Sequence, residues 1–243
     1  LPGAECDDGT IDCLLIEMAG KLEALHLIAL VYRQAMERFG KDNPDLRFGM
    51  ELEDVSELVA ESGFGVFSRT VARGGQVKGI RAPGLANYSR KQIDDLSAFV
   101  QTHGAKGLAW LATGEDSVRS SFAKFLSHET VDALIERLEG QTGDLLLFVA
   151  DQPAIVGEAL GRLRVELGDR LGLRDNNVLA MVWILDWPLF TWNQEEERWD
   201  PSHHLFTSPT LEDIPLLDSD PGAVRGLQHD LVCNNYEIGG GSI

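Results

Sequence analysis

The feature that most constrains the fold is the segment at residues 230–243, whose sequence is DLVCNNYEIGGGSI. Its centre is the pair Asn234 and Asn235. Asparagine tolerates the positive φ angles that a two-residue hairpin turn requires, which most other residues avoid. The segment is therefore predicted to be a β-hairpin, and its register follows by counting outward from the turn.

The predicted register places two acids on one face of the hairpin. The expected pairs are Cys233 with Tyr236, Val232 with Glu237 and Asp230 with Gly239. Asp230 and Glu237 are then diagonal neighbours, roughly 7 Å apart. Two carboxylates this close repel each other unless a cation lies between them. Mg²⁺ is usually held by one or two carboxylates together with phosphate oxygens, so the pair predicts a site for Mg²⁺ and a nucleotide phosphate.

The glycine run at residues 239–241 has two expected consequences. It leaves the sheet surface bare beside the acids, so that a flat or bulky ligand can approach the backbone. Strict alternation would also turn the residue following Ile243 away from the acids. One extra residue in a β-bulge would reverse the alternation and turn that residue back toward them. We expect such a bulge between residues 239 and 242, because glycine tolerates the φ angles that it requires. The alternative interpretation of the whole segment is an acidic surface hairpin that ends in a Gly-Ser linker.

The charge of the chain opposes general nucleic-acid binding. There are 21 basic and 39 acidic residues among 243, a net charge of −18, whereas affinity for a phosphate backbone comes largely from Lys and Arg. Residues 68–91 are an exception, because they include six basic residues and no acid. These six are Arg69, Arg73, Lys78, Arg81, Arg90 and Lys91. We interpret the stretch as a solvated positive face, with a local nucleic-acid surface as the alternative.

Cysteine content and hydropathy indicate a cytoplasmic protein without a membrane span. Cys6, Cys13 and Cys233 are too few and too scattered for a disulfide framework, and no paired CxxC motifs suggest zinc. The longest apolar region, residues 11–32, contains several charged residues and is not expected to cross or bind a membrane.

The chain is 44% hydrophobic, which is enough for a large buried core. Its hydrophobic periodicity alternates between strand and helix patterns and predicts an α+β fold. Residues 1–30 have helical spacing and are predicted to form an amphipathic helix. Strands are expected at residues 65–67, 76–80, 106–111, 144–150 and 178–185, the last in the centre of a sheet. Helices are expected at residues 32–39, 89–100 and 153–171, and Ser89 with Gln92 has the spacing of a capping box.

Several motifs resemble bacterial aspartyl-tRNA synthetases. HHLFTSP at residues 203–209, followed by YEIGGGS at residues 236–242, is similar to the region between the second and third signature motifs of class II synthetases. Further matches occur upstream in the same order. They are DNPDLRFG at 42–49, IRAPG at 80–84, SRKQID at 89–94, GAKGLA at 104–109 and WILDWPLF at 183–190. The resemblance covers residues 31–243, whereas residues 1–30 do not match.

The resemblance implies a domain organisation. It suggests an incomplete class II catalytic domain with an antiparallel sheet, interrupted by an inserted α/β sandwich-like domain of the GAD type. The expected divisions are residues 1–54 as a helical segment and lead-in, 55–160 as the GAD-like insert, and 161–243 as part of the catalytic domain. The insert is expected to have its own core.

The resemblance also implies ligands and site residues. His203 and His204 are expected to bind the aspartate substrate, Glu237 to bind ATP, and Asp230 with Glu237 to bind Mg²⁺. No residue is expected to act as a nucleophile. The implied partners are L-aspartate and tRNA(Asp), with tRNA(Asn) as a second substrate left open, and the parent enzyme is expected to be a homodimer.

Three class II signature motifs are not found, and we therefore expect the chain to be a fragment that does not aminoacylate alone. The alternative is a non-catalytic tRNA-binding module related to the amidotransferase subunit that shares the inserted domain. The histidine pair and the hairpin lie outside that domain and favour the synthetase. A generic acidic interaction protein explains the composition but none of the motifs.

Overall fold

The computed structural model describes residues 24–115 and 117–243, which form two compact units. Unit 1 contains residues 24–32, Asn43–Phe48 and Gly172–Ile243. Unit 2 contains Arg33–Asp42 and Gly49–Leu171. Unit 2 is therefore longer at both ends than the predicted insert at residues 55–160.

The described chain mixes strands and helices, which confirms the α+β prediction. The strands are β1 (Ala24–Val31), β2 (Glu53–Asp54), β3 (Gln76–Ala82), β4 (Ala109–Thr113), β5 (Val118–Ser120), β6 (Leu145–Asp151), β7 (Val178–Leu185), β8 (Trp187–Pro188), β9 (Phe190–Asn193), β10 (Arg198–Pro201), β11 (Arg225–Gly226), β12 (His229–Cys233) and β13 (Tyr236–Gly241). The α-helices are α1 (Tyr32–Phe39), α2 (Ser56–Val59), α3 (Gly65–Ala72), α4 (Arg90–Thr102), α5 (His128–Arg137) and α6 (Pro153–Arg170).

Unit 2 is built on a five-stranded antiparallel sheet in the order β2-β3-β6-β4-β5. Alternate residues of β6 point to opposite faces, and Leu145 to Val149 are all buried. Leu145 and Leu147 pack with the apolar residues of α4 and α6, whereas Phe148 packs with those of α2, α3 and α5. The sheet therefore has a hydrophobic core on each face.

Capping chemistry sets several helix ends in unit 2. Ser89 and Gln92 form the predicted capping box at the start of α4, with each side chain bonded to the other residue's backbone. Helix α1 ends at Phe39 and is followed by Gly40, whose φ of 68° is one that glycine adopts without strain. The second half of α6 belongs to this unit, because Leu163 and Leu167 lie in its core beyond the predicted boundary at residue 160.

Unit 1 contains a four-stranded sheet in the order β1-β7-β12-β13. Strand β7 lies inside the sheet, as its apolar sequence predicts, and pairs in parallel with β1 and antiparallel with β12. Two short antiparallel pairs, β8 with β11 and β9 with β10, complete the unit. Trp192 and Trp199 pair across β9 and β10, with ring centroids 5.3 Å apart.

Two predictions of secondary structure are wrong. The helix expected at residues 1–30 lies outside the described residues up to residue 23, and Ala24–Val31 is a strand rather than a helix. Residues 65–67 begin helix α3, in which Phe67 is buried while Arg69 and Thr70 point outward. The three-residue run was too short to distinguish the two periods.

Candidate functional site

The hairpin of β12 and β13 forms because its turn residues suit a left-handed backbone. Asn234 and Asn235 have φ angles of 51° and 74°, as predicted. The Asn234 side chain also fixes the turn to β7. Its amide nitrogen donates to the Val178 carbonyl at 2.9 Å, and its oxygen accepts from the Ala180 amide at 2.9 Å.

The register of the hairpin differs from the prediction at one step. Cys233 pairs with Tyr236 and Val232 with Glu237, as expected, but the register then shifts and Asp230 faces Gly240. The irregularity lies at Ile238, one residue before the predicted interval of 239–242. A shift at this position still reverses the parity of the glycine run. The correction therefore concerns the position of the bulge, not its presence.

The bulge leaves Asp230 and Glu237 on one face of the sheet, which we call the acid face. Asp230 lies two residues from Val232 on the same strand, and Val232 is the partner of Glu237. A Cβ atom added to Gly240 would lie 2.5 Å from the Oδ1 atom of Asp230, whereas one added to Gly239 would meet no atom within 4 Å. Glycine at position 240 therefore leaves room for the Asp230 carboxylate beside the backbone of β13.

The two acids have different environments. Asp230 is nearly buried, and the Nε2 atom of Gln228 donates to both of its carboxylate oxygens at 3.3 Å. Glu237 lies on β13, where every residue is exposed. A buried carboxylate held by Gln228 and an exposed one thus share the acid face.

His203 lies beside the acid face. Its ring contacts Trp187 edge to face, with centroids 5.2 Å apart, and its Nε2 atom is buried without a hydrogen-bond partner among the described residues. Burial lowers the pKa of His203 below its usual value, while the Asp230 carboxylate and the Pro188 backbone oppose that shift. His203 is therefore neutral at pH 7, with a buried polar atom able to meet a ligand.

His204 has a different environment from His203. It is exposed, its Nδ1 atom accepts from the Phe206 amide at 3.3 Å, and the two rings lie 4.7 Å apart. His204 forms no hydrogen bond or ion pair with Asp230 or Glu237 in the described part of the chain. Its predicted role in aspartate binding stays a prediction, as do the roles of His203, Asp230 and Glu237.

An ion-pair cluster under the hairpin was missed by sequence reasoning. Asp45 is fully buried and accepts hydrogen bonds from Arg47 at 2.9 and 2.6 Å and from Arg174 at 3.0 Å. The start of the same loop contacts the hairpin turn, because the Nδ2 atom of Asn43 donates to the Asn235 carbonyl at 3.2 Å. The loop at residues 43–48 therefore supports the hairpin from its turn end.

This cluster shows its effect in two pKa shifts. Burial raises the pKa of Asp45, but the hydrogen bonds from Arg47 and the charge of Arg174 outweigh burial and hold it below its usual value. Burial raises the pKa of the Cys233 thiol nearby, and Arg47 partly offsets that change. Cys233 is thus a neutral core thiol at pH 7 rather than a nucleophile.

The donor set fits a hard cation shared with a phosphate rather than a metal site made by protein alone. Within residues 24–115 and 117–243, no three His, Cys, Asp or Glu side chains converge on one point. Asp230 and Glu237 supply two carboxylates on the acid face, and Mg²⁺ commonly takes one or two carboxylates with phosphate and water oxygens. None of the helices described is long and apolar enough to cross a membrane.

Comparison with known proteins identifies the domain and the relatives of this chain. The GAD domain family matches residues 67–160, all within unit 2. The chain is 52% identical over 227 residues to the aspartate–tRNA(Asp/Asn) ligase of Moorella thermoacetica, covering 93% of this chain and 38% of that protein. It is 47% identical over 240 residues to the aspartate–tRNA ligase of Clostridium acetobutylicum, covering 98% and 40%.

A third relative, the aspartate–tRNA ligase of Geobacillus kaustophilus, is 53% identical over 215 residues, covering 88% of this chain and 36% of that protein. The chain thus spans about two fifths of the length of the curated relatives it matches. These matches confirm the resemblance to bacterial aspartyl-tRNA synthetases and the presence of a GAD domain.

Proposed function

We propose that the chain is part of an aspartate–tRNA ligase that activates L-aspartate with ATP and transfers the aspartyl group to tRNA. The observation that carries the proposal is the acid face: Asp230, Glu237 and the bare Gly240 share it, and the unpartnered Nε2 atom of His203 lies beside it. The relatives' names give the reaction its substrates.

The chemistry asks the protein for alignment and charge neutralisation. The carboxylate of aspartate attacks the α-phosphorus of ATP, a P–O bond forms, and the bond to pyrophosphate breaks. Neutral His203 would donate or accept a hydrogen bond at the aspartate without repelling either charge, with His204 at the outer side of the same site. Holding two reactants in line contributes a large part of the rate enhancement in such reactions.

Glu237 and Asp230 would take the ATP end of this site. Two bare carboxylates repel a triphosphate, so they require a cation between them and the nucleotide. Mg²⁺ bound there would neutralise charge on the phosphates. Two side chains would hold and orient the ion: Asp230, whose carboxylate is bonded by Gln228, and the exposed Glu237.

The remaining parts of the proposal concern partners and setting. We assign tRNA(Asp) as the acceptor, and tRNA(Asn) stays open as a second acceptor because relatives of both descriptions match the chain. We also propose a cytoplasmic homodimer for the whole enzyme. No nucleophilic residue is assigned, since the substrate's own carboxylate is the attacking group.

A segment exchange tests the proposal. The matching segment of the Clostridium acetobutylicum ligase, 40% of that protein, would be replaced by this chain, and aspartate-dependent ATP–pyrophosphate exchange would be measured. The chimera is expected to catalyse exchange, whereas the isolated chain is not. Glu237→Gln should reduce exchange by about 100-fold, because a charge partner of the transition state is lost. His203→Ala should chiefly raise the KM for aspartate.

The matched control is Glu195→Gln in the exposed turn between β9 and β10, which should leave exchange unchanged. A folded chimera without exchange, or one in which Glu237→Gln behaves like Glu195→Gln, contradicts the assignment of the acid face. If the isolated chain instead binds tRNA and the folded chimera stays inactive, the alternative of a non-catalytic tRNA-binding module that shares the GAD domain becomes the better description.

A further inference from the structure

Two cavities lie in unit 2, whereas the acid face belongs to unit 1. One cavity of about 270 Å³ is lined by Arg69, Arg73 and Lys106 among others. A second, of about 390 Å³, is lined mainly by apolar groups that include Phe64, Phe67 and Leu108. We call the two together the groove.

The two cavities adjoin, because three residues line both of them. They are Val66, Thr70 and Lys106. Val66 is 49% exposed at this junction, so its side chain is accessible to a ligand. Each cavity has a size within or near the range of small-molecule sites, and together they offer an apolar compartment connected to a basic one.

The basic compartment carries uncompensated positive charge. Arg69 on α3 and Arg73, the residue that follows the helix, are both exposed, and neither forms an ion pair with any residue in the described part of the chain. Lys106 differs, since its Nζ atom lies 3.0 Å from the Oδ2 atom of the buried Asp151. The two arginines therefore supply the net charge, in a chain whose overall charge is −18.

The other basic residues of the stretch at 68–91 do not join them. Lys78 is buried and its Nζ atom donates to the Glu37 carbonyl at 2.7 Å. Arg81 lies 3.5 Å from Asp144, and Arg90 pairs with Asp94 on α4. Lys91 is exposed and has no ion pair among the described residues, but it lines neither cavity. Buried Lys78 is thus not part of the predicted solvated positive face, and Arg69 and Arg73 are the basic residues of this stretch that line the groove.

The apolar compartment provides flat surfaces. Phe64 is half-buried and continues a cluster of rings, with its centroid 4.8 Å from that of Phe67 and 5.7 Å from that of Phe125. Leu108 and Ala109 form part of the opposite lining. A planar heterocycle gains from such a lining through burial and stacking, and aromatic stacking tolerates any base.

We propose that the groove binds a nucleotide, with the base in the apolar compartment and the phosphate against Arg69 and Arg73. A lone inorganic anion would leave the apolar cavity unused, and an uncharged ring would leave the arginines unused. The ligand is either a free nucleotide or a nucleotide of a single-stranded RNA, because both present the same base and phosphate. This site is separate from the acid face and does not depend on the function proposed for it.

The test uses the full chain with methyl-labelled valine and leucine, so that the signals of Val66 and Leu108 report binding at the groove and not at the acid face. The probes are AMP, adenosine, inorganic phosphate and a six-residue oligoadenylate RNA. AMP or the RNA should shift both signals, and adenosine and phosphate should each bind at least tenfold more weakly than AMP.

Two variants separate the contributions of the groove. Arg69→Ala with Arg73→Ala should weaken binding at least tenfold and reduce the salt dependence of RNA binding, as a logarithmic slope, by between about 1 and 2. Val66→Glu should weaken binding by placing an acid between the compartments. The matched control, Arg33→Ala with Arg90→Ala, removes two exposed positive charges elsewhere in unit 2 and should change affinity less than twofold.

The relative affinities identify the source of the ligand. Tighter binding of the RNA than of AMP indicates an RNA strand, and binding of AMP as tight as the RNA indicates a free nucleotide. The proposal is overturned if neither probe moves the Val66 and Leu108 signals at millimolar concentration, or if the folded arginine double variant binds as tightly as its control.

Discussion

The sheets of the two units differ in what covers them. In unit 2, β6 is buried at Leu145 to Val149 with an apolar core on each face. In unit 1, all six residues of β13 are exposed. A strand buried on both faces can contribute stability but offers no surface to a ligand. The exposed hairpin offers carboxylates and bare backbone, and its own burial contributes little to stability.

Buried carboxylates in ion pairs occur in both units. In unit 2, Asp151 lies 3.0 Å from the Nζ atom of Lys106. In unit 1, Asp45 pairs with two arginines, and Asp213 lies 2.7 Å from the Nε atom of Arg225. Arg225 holds the pKa of Asp213 far below its usual range. Asp45 and Asp213 should therefore make unit 1 lose stability as the pH falls below the unfolded carboxyl pKa of about 4.

The largest effect should come from truncating the core of unit 2. Phe148 is fully buried and packs against Phe67 and Phe122, with centroids 6.3 and 5.5 Å away. Phe148→Ala should lower the free energy of unfolding by about 3–5 kcal/mol, through lost burial and a cavity. Urea denaturation measures the change. Phe206→Ala, at a residue that is 80% exposed, is the control and should cost less than about 0.5 kcal/mol.

A somewhat smaller effect is expected from the buried ion pairs of unit 1. Asp45→Asn removes the buried carboxylate that pairs with both Arg47 and Arg174, and it should cost about 3 kcal/mol at pH 7. Asp94→Asn, in the exposed pair with Arg90, should cost less than about 0.5 kcal/mol. Equal costs in the two variants would show that the Asp45 cluster is no more important than a surface pair.

The pH dependence of the same variant sharpens the comparison. The folded pKa of Asp45 is lowered, so its contribution to stability is present above the unfolded value of about 4 and is lost as the pH falls through the folded pKa. The stability difference between the wild type and Asp45→Asn should therefore shrink on acidification below about pH 4. A constant difference from pH 7 to pH 2 would contradict the assignment.

The glycine run allows an effect of intermediate size to be predicted with a neighbouring control. Gly240→Ala places a Cβ atom 2.5 Å from the Asp230 carboxylate, and Gly239→Ala meets nothing within 4 Å. Gly240→Ala should cost about 1–2 kcal/mol and reduce exchange activity in the chimera, because Asp230 must move. Gly239→Ala should be close to neutral in both measurements. The reverse order would place the bulge elsewhere in the strand.

Local chemistry explains which parts of this structure could be predicted from the sequence. The capping box of Ser89 and Gln92 and the hairpin turn at Asn234 depend on residues within a few positions of each other. The apolar alternation of β6 and the buried run of β7 are similarly local. In these places, propensity and tertiary packing favour the same conformation.

The features that were missed depend on distant partners. The hydrogen bond between Arg174 and Asp45 joins residues 129 positions apart, with no local signal in either segment. The bulge at Ile238 is set by pairing across β12 and β13, and the glycines alone do not fix its position. The parity argument required a bulge, but only the register could locate it. Likewise, folding separates the basic residues of the stretch at 68–91: Lys78 is buried, whereas Arg69 and Arg73 line the groove.

The smallest expected effect concerns His203, which links burial to the acid face. Burial is the main cause that lowers the pKa of His203 in the folded protein. The unfolded state, with a pKa of about 6.5, therefore binds more protons than the folded state as the pH falls. The free energy of unfolding should consequently decrease as the pH drops below about 6.5. Asp230 opposes the shift, and Asp230→Asn should therefore lower the pKa of His203 further. NMR titration of the ring, assigned with His203→Gln, measures this value. Glu237→Gln is the control and should leave it unchanged; an equal change in both variants would mean that His203 senses the net charge of the hairpin rather than the Asp230 carboxylate.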